Sequence, residues 1–253
     1  MPGRGQAVIA PAMGASGILI DGLGYELPGR RILSGLSAHL TERRIGVVGR
    51  NGSGKTTLLR LIAGLIAPTE GTIEVEGMNP AGDRKAMLVR LGILFQNPDH
   101  QIIFPTVLEE IAFGLIQLGH AGPEAERRAL ALLARHGRAH WAKARVETLS
   151  HGQKQVLCLL SVLAMEPATI LLDEPFAALD LPMRTRLHRL FDGLPQRLIT
   201  ITHDPATLEE ADRVLWLDEG HLLADGPAAR ILPLFRAEMA RIGAADADTD
   251  LAH

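Results

Sequence analysis

The chain has 253 residues, 47% of them hydrophobic and 22% charged, with a formal net charge of -3 at pH 7. That composition suits a soluble globular protein with one substantial core or two closely packed subdomains, and no basic excess points to nucleic acid. Its one cysteine, Cys158, excludes a disulfide framework and fits a reducing compartment. The longest apolar runs, "LIAGLIAP" and "CLLSVLAM", fall far short of the roughly 20 residues that cross a bilayer, so any membrane role passes through a partner.

Residues 1–17, "MPGRGQAVIAPAMGASG", form a faint imitation of a secretory signal that Pro11 interrupts, and they read as a loose extension. The first strong pattern is "RRIGVVG", an apolar strand that runs into glycines, followed by "TTLLRLIAGL" with Leu58, Leu61, Ile62 and Leu65 at helical spacing. The loop between them, "GRNGSGKTT", fits G-x-x-x-x-G-K-[ST] at Gly49, Gly54, Lys55 and Thr56. Small residues let backbone N–H groups curl around phosphates, and the helix dipole adds positive potential. Lys55 is placed to reach β- and γ-phosphates, and the Thr56 hydroxyl a Mg²⁺ ion.

Further along, "LGILFQ" reads as a strand closed by Gln96, and "VLEEIAFGLIQLGH" and "AERRALALLARHG" as amphipathic helices. "LSHGQKQ" then opens another helix, and its Ser-x-x-Gln spacing is also a plain capping pattern. The strand "ATILLDEP" ends on Asp173 and Glu174; apolar residues up to a terminal acid suit a buried parallel strand that opens at a ligand crevice. Asp173 is expected to hold Mg²⁺ through its water shell and Glu174 to polarise an attacking water. A third strand, "RLITITHD", delivers His203, whose imidazole is expected to link a γ-phosphate and the water to Glu174. The end of the chain, "GAADADTDLAH", is small and acidic and is expected to fray.

The ordered set "GRNGSGKTT", Gln96, "LSHGQ", "ILLDEP", "AALD" and His203 resembles the ATP-binding cassette (ABC) ATPases over roughly residues 18–235. The resemblance implies an α/β fold: a RecA-like P-loop NTPase core, an antiparallel β region at about 18–45 and an α-helical subdomain inserted at about 105–160, with residues 236–253 as a tail. It implies ATP as substrate with Mg²⁺, bound by the loop residues Gly49, Asn51, Gly52, Ser53, Gly54, Lys55, Thr56 and Thr57, with Thr56, Gln96 and Asp173 on the metal side. It also implies catalytic roles for Glu174, His203 and Gln96, and an adenine-stacking role for Tyr25. Two subunits would pack head to tail, so that Ser150, Gly152 and Gln153 of the signature "LSHGQ" cap the ATP of the other copy and Asp180 touches its P-loop. The dimer would form with itself or with a second ABC ATPase.

His151 replaces the commoner glycine of that signature; a positive φ there would cost about 1 kcal/mol, so the imidazole is expected to point away from phosphate. "TERR" replaces the family's usual turn before the P-loop strand and is expected to alter only a surface turn. The segment "FQNPDHQIIFPTVLEEIAFGL" resembles more narrowly the ATPases of energy-coupling factor importers, most of all those of biotin transporters. There an acid after the glutamine, here Asp99, would pair with arginines of a transmembrane T-component working with a substrate-binding S-component. The implied location is the cytoplasmic face of the cell membrane, peripherally bound, with no nucleic-acid partner. The runner-up readings are the ATPase of a conventional importer or exporter, or of a cobalt or nickel transporter; ABC-type proteins acting on DNA or ribosomes form a different class.

Overall fold

The computed structural model describes residues 17–244, so the expected extension up to residue 16 and the acidic end from residue 245 lie outside the described residues. Two sheets organise the chain. The smaller is antiparallel: β1 (Ile18–Leu27) lies between β2 (Arg30–Leu40) and β4 (Glu70–Val75). Its third strand therefore comes from beyond the P-loop helix and outside the span expected at 18–45. Residues Arg44–Val48 belong instead to the other sheet, as β3.

The larger sheet has six strands in the order β5-β6-β7-β3-β8-β9. It is built from β3, β5 (Leu91–Leu94), β6 (Thr169–Asp173), β7 (Arg197–Ile201), β8 (Arg213–Asp218) and β9 (His221–Gly226). All neighbours run parallel except β8 and β9. Ile170, Leu171 and Leu172 of β6 are almost wholly buried, as a strand covered on both faces requires. Helix α1 (Lys55–Ile62) sends Leu58, Leu59, Leu61 and Ile62 into the main core, which it shares with β3 and with the inward residues of β1 and β2.

Between β4 and β5 lies the short α2 (Arg84–Met87), capped by Asp83. The helical block comprises α3 (Val107–Gln117), α4 (Gly122–Arg135) and α5 (His151–Ala164), and Pro123 near the start of α4 suits a first helical turn. Helix α5 serves two cores. Its Val156, Leu157 and Leu160 pack with α3 and α4, whereas Cys158, Leu159, Val162 and Leu163 pack with β5, β6 and the following α6 (Leu181–Asp192). Cys158 is a fully buried core thiol, and burial pushes its pKa up to about 12.

Two expectations need correction. The last helix, α7 (Ala228–Ala244), runs past the tail boundary set at residue 236, because Ile231, Leu232 and Phe235 anchor it against Trp216 and Val214 of β8. The "TERR" segment does more than shape a surface turn. Arg44 donates to the carbonyls of Phe191, Leu194 and Gln196, and Arg43 to that of Leu194, tying the entry of β3 to the α6–β7 connection. Truncating a fully buried side chain of β6, Leu171→Ala, is expected to cost about 2 to 5 kcal/mol, read as a lower urea midpoint with an unchanged slope.

Candidate functional site

Four adjacent parallel strands, β5, β6, β7 and β3, bring Gln96, the Asp173–Glu174 pair, His203 and the P-loop to the same edge of the sheet. Register makes this alignment close: Ile201 stands opposite Val47 on one side and Asp173 on the other. A crevice beyond the C-terminal ends of parallel strands is where open α/β sheets bind ligands.

The P-loop leaves β3 at Gly49 and enters α1 through Gly54, whose φ of 97° is left-handed. A Cβ on Gly54 would lie 2.5 Å from Leu33 Cδ2, so both backbone and packing require glycine. Arg50 fixes the loop from outside: its Nε lies 3.1 Å from Asp218 at the end of β8. Inside it, Lys55 Nζ donates to the carbonyls of Gly49 and Arg50, each at 2.8 Å. Ser53 is buried and its hydroxyl has no hydrogen-bond partner, while Asn51, Gly52 and Thr56 are exposed and Thr57 is half-buried.

Charges in the crevice are held at a cost. Burial lowers the pKa of Lys55, against the pull of Glu174 and Asp173. Burial also raises that of Asp173, with the neighbouring Glu174 adding to it and Arg60 and Lys55 opposing. A polyanion with a divalent cation supplies what both groups lack. The donor set fits Mg²⁺ in its usual protein setting, which takes one or two carboxylates and leaves the remaining positions to phosphates and water: Asp173 and the exposed Thr56 and Gln96 are the candidates, and among the described residues no cluster of three or more His, Cys, Asp or Glu forms a closed metal cage.

Glu174 sits just past β6 with φ 48°, a left-handed value uncommon for a side chain of its size. Its carboxylate is almost fully committed. Oε1 accepts from the His203 backbone N–H at 2.9 Å and lies 2.8 Å from His203 Nδ1, and Oε2 accepts from the Thr202 hydroxyl at 3.1 Å. Sequence alone predicts a link from His203 to Glu174 through a γ-phosphate and water, whereas here the two side chains meet directly, with 63% of the histidine side chain exposed and only 14% of the glutamate. Thr202 was not legible as a site residue, since a threonine one position before the histidine carries no spacing signal.

The signature segment stands apart from this cluster. Ser150 caps α5, accepting from Gln153 N–H at 3.3 Å, while Gln153 Oε1 accepts from Ser150 N–H at 2.8 Å, a complete capping box. Among the described residues no hydrogen bond joins Ser150, Gly152 or Gln153 to the P-loop of the same chain. His151 is the first helical residue and is not in the positive-φ region, so the backbone cost considered for it does not arise. A Cβ on Gly152 would meet the flexible side chain of Met183 of α6 at 2.7 Å, so a larger residue there would require that side chain to shift. Asp180 caps α6 through Met183 N–H at 2.9 Å, and Tyr25 packs half-buried against the main core. Asp99 already has a partner that sequence did not reveal: Lys154 of α5, at 2.6 Å. That hydrogen bond holds its carboxyl below the usual aspartate range.

A family profile described as ABC transporter matches residues 33–177. The chain is 52% identical over 222 residues, 88% of this chain and 95% of the relative, to the biotin transport ATP-binding protein BioM of Rhodobacter capsulatus. Among solved structures it is similar to cbiO1 of Clostridium perfringens, described as part of the ABC transporter complex cbiONQ. There the TM-score is 0.75 at 26% identity, covering 90% of this chain and 97% of that one. It is also similar to a dimeric ATP-binding cassette in a post-hydrolysis state with ADP and Pi, at TM-score 0.71 and 25% identity, covering 83% and 98%. The chain belongs to the ABC transporter ATPases, enzymes whose ATP hydrolysis drives transport. Its α/β architecture is the RecA-like P-loop fold with helical block that the sequence implied. Among the described residues no helix is long and apolar enough to cross a membrane.

An acid whose folded pKa lies above its unfolded value favours the fold at low pH, and that contribution is lost as pH rises through the raised pKa. For Asp173 the raised value places this loss above the ordinary aspartate range. Asp173→Asn is therefore expected to melt higher than the unsubstituted protein near neutral pH without nucleotide, and to lose Mg²⁺-dependent hydrolysis. Thermal unfolding across a pH series, with and without Mg-ATP, checks both.

Proposed function

We propose that this chain is the ATPase subunit of an energy-coupling factor importer, and that the imported molecule is biotin. The observation that carries the chemical part is the Glu174 carboxylate, anchored by the backbone and ring of His203 at the strand end beside the P-loop. In this reading the P-loop residues Gly49–Thr57 wrap the phosphates, with the orphaned Ser53 hydroxyl supplying one donor and Lys55 exchanging its loop carbonyls for phosphate oxygens. Thr56, Gln96 and Asp173 hold Mg²⁺, which neutralises charge on the phosphates when bound. Tyr25 stacks on adenine.

Glu174 polarises the water that attacks the γ-phosphorus, and the bond to the β-γ bridging oxygen breaks to release ADP and phosphate. Its occupied hydrogen bonds keep the carboxylate aimed without reorganisation at the moment of reaction. His203 fixes Glu174 through Nδ1 and leaves its exposed edge for the γ-phosphate. Ser150, Gly152 and Gln153 act on the ATP of a second copy, and Asp180 on that copy's P-loop. The cap formed within α5 pre-organises this helix terminus for an anion.

Partnership with a membrane T-component, served by a substrate-binding S-component, is supported by the likeness to the BioM and cbiO1 proteins and by the exposed Asp99. The subunit then works at the cytoplasmic face of the membrane as a peripheral component. A partner arginine would have to share or displace Lys154 to reach Asp99.

Glu174→Gln keeps the size of the side chain but removes the basic carboxylate and one of its two acceptor oxygens. Turnover is expected to fall about 100-fold or more while ATP still binds. Near-normal hydrolysis by the purified variant would contradict the assignment. Asp99→Ala is expected to weaken assembly with the membrane partner about tenfold or more and to lower uptake of labelled biotin. Basal hydrolysis by the isolated subunit stays within about twofold of the starting value, since Asp99 has no part in that chemistry. Loss of hydrolysis by the purified variant, or uptake left intact, would each overturn the reading of this residue.

A further inference from the structure

Glu174 is held by two residues of the β7 terminus, and only one of them, His203, belongs to the sequence pattern that identified the site. The other, Thr202, is 2% exposed and lies at the junction of two hydrogen bonds. Its Oγ1 accepts the backbone N–H of Asp204 at 3.0 Å and donates to Glu174 Oε2 at 3.1 Å. A hydroxyl has one proton and two lone pairs. With a lone pair occupied by a fixed amide, the proton has one productive direction, toward the carboxylate.

The amide is itself fixed. Asp204 caps the short turn that follows, accepting from Ala206 N–H at 3.1 Å, and its other oxygen takes Arg184 of α6 at 2.8 Å. Arg184 sits one turn into the helix that Asp180 caps. The orientation of Thr202 is thus set from outside the crevice, by a bonded series that ends on the helix behind the "AALD" segment.

We infer that Thr202 is a positioning residue for hydrolysis: its hydroxyl fixes the second oxygen of Glu174, so that the first faces the water with His203. The inference rests on the reading of Glu174 given above. With His203 alone, the carboxylate keeps one anchored oxygen and can swing about it; with Thr202 both oxygens are fixed and rotation about the last side-chain bond is closed. The left-handed backbone of Glu174 points the same way, because a residue held at φ 48° needs surrounding contacts to keep it there.

The test uses the purified full-length chain in steady-state ATP hydrolysis. Thr202→Val replaces the hydroxyl with a methyl at nearly equal volume, and Thr202→Ala serves if the valine variant does not fold. Either is expected to lower kcat about tenfold with the KM for ATP within about twofold, and Thr202→Ser is expected to restore most of the rate. In a Glu174→Gln background, Thr202→Val should add nothing, because the group it aims is gone. A kcat for Thr202→Val within about twofold of the starting protein, beside an inactive Glu174→Gln, overturns this inference and leaves the Glu174 reading standing. So does a failure of serine to rescue, or a further fall in the double variant. Near-normal turnover by Glu174→Gln itself overturns both.

Discussion

Everything at this site depends on the parallel pairing of β7 between β3 and β6. Ile201 faces Val47 across one ladder and Asp173 across the other, so three chain segments distant in sequence finish level with one another. The Glu174 N–H donates to the Ile201 carbonyl at 2.9 Å and the Thr202 N–H to that of Val47 at 3.1 Å, extending the ladders into the loops that carry chemistry. A slip of one residue would exchange the side chains between the two buried faces of β6, and the close packing of nearly every side chain in that strand opposes it. The hydrophobic interior thus sets the distance between Glu174 and His203 before either residue interacts with the other.

That rigidity contrasts with the treatment of charge. Lys55 and Asp173 are both buried enough for their ionised forms to be disfavoured, and neither touches the other. A sequence selected for stability alone would place apolar residues there. Strain points the same way: Glu174 and Ala178, at φ 48° and 57°, flank the turn after β6. Costs of this kind concentrate where binding or chemistry requires them.

Motif spacing made the strand–loop–helix unit, the paired acids and His203 legible, because each needs particular residue types at a strand terminus. The third strand of the small sheet was not legible: Glu70–Val75 is short, and what makes it a strand is its pairing with β1 some fifty residues earlier. The same limit hid the partners of visible residues. Lys154 lies fifty-five positions from Asp99 and Thr202 twenty-eight from Glu174, and only the folded chain joins them. Arg43 and Arg44 were read as a turn because their carbonyl partners lie about 150 residues on. The extent of α7 was misjudged for a related reason, since the acidic composition of the chain end obscured an apolar face that binds β8.

Helix α5 belongs to two cores at once, and this sets the mechanics of the helical block. Adjacent residues, Leu157 and Cys158, are buried on opposite sides, one among α3 and α4 and the other against the sheet. Gln155 donates to the Phe95 carbonyl, and Lys154 grips Asp99, so the segment after Gln96 is fastened to the same rod. A helix gripped on both flanks cannot serve as the pin of a free hinge. Displacement of α3 and α4 against the sheet must occur as shear, by small sliding steps between packed side chains. Through Lys154, the Asp99 segment is thus joined to the helix about one turn from its Ser150 terminus.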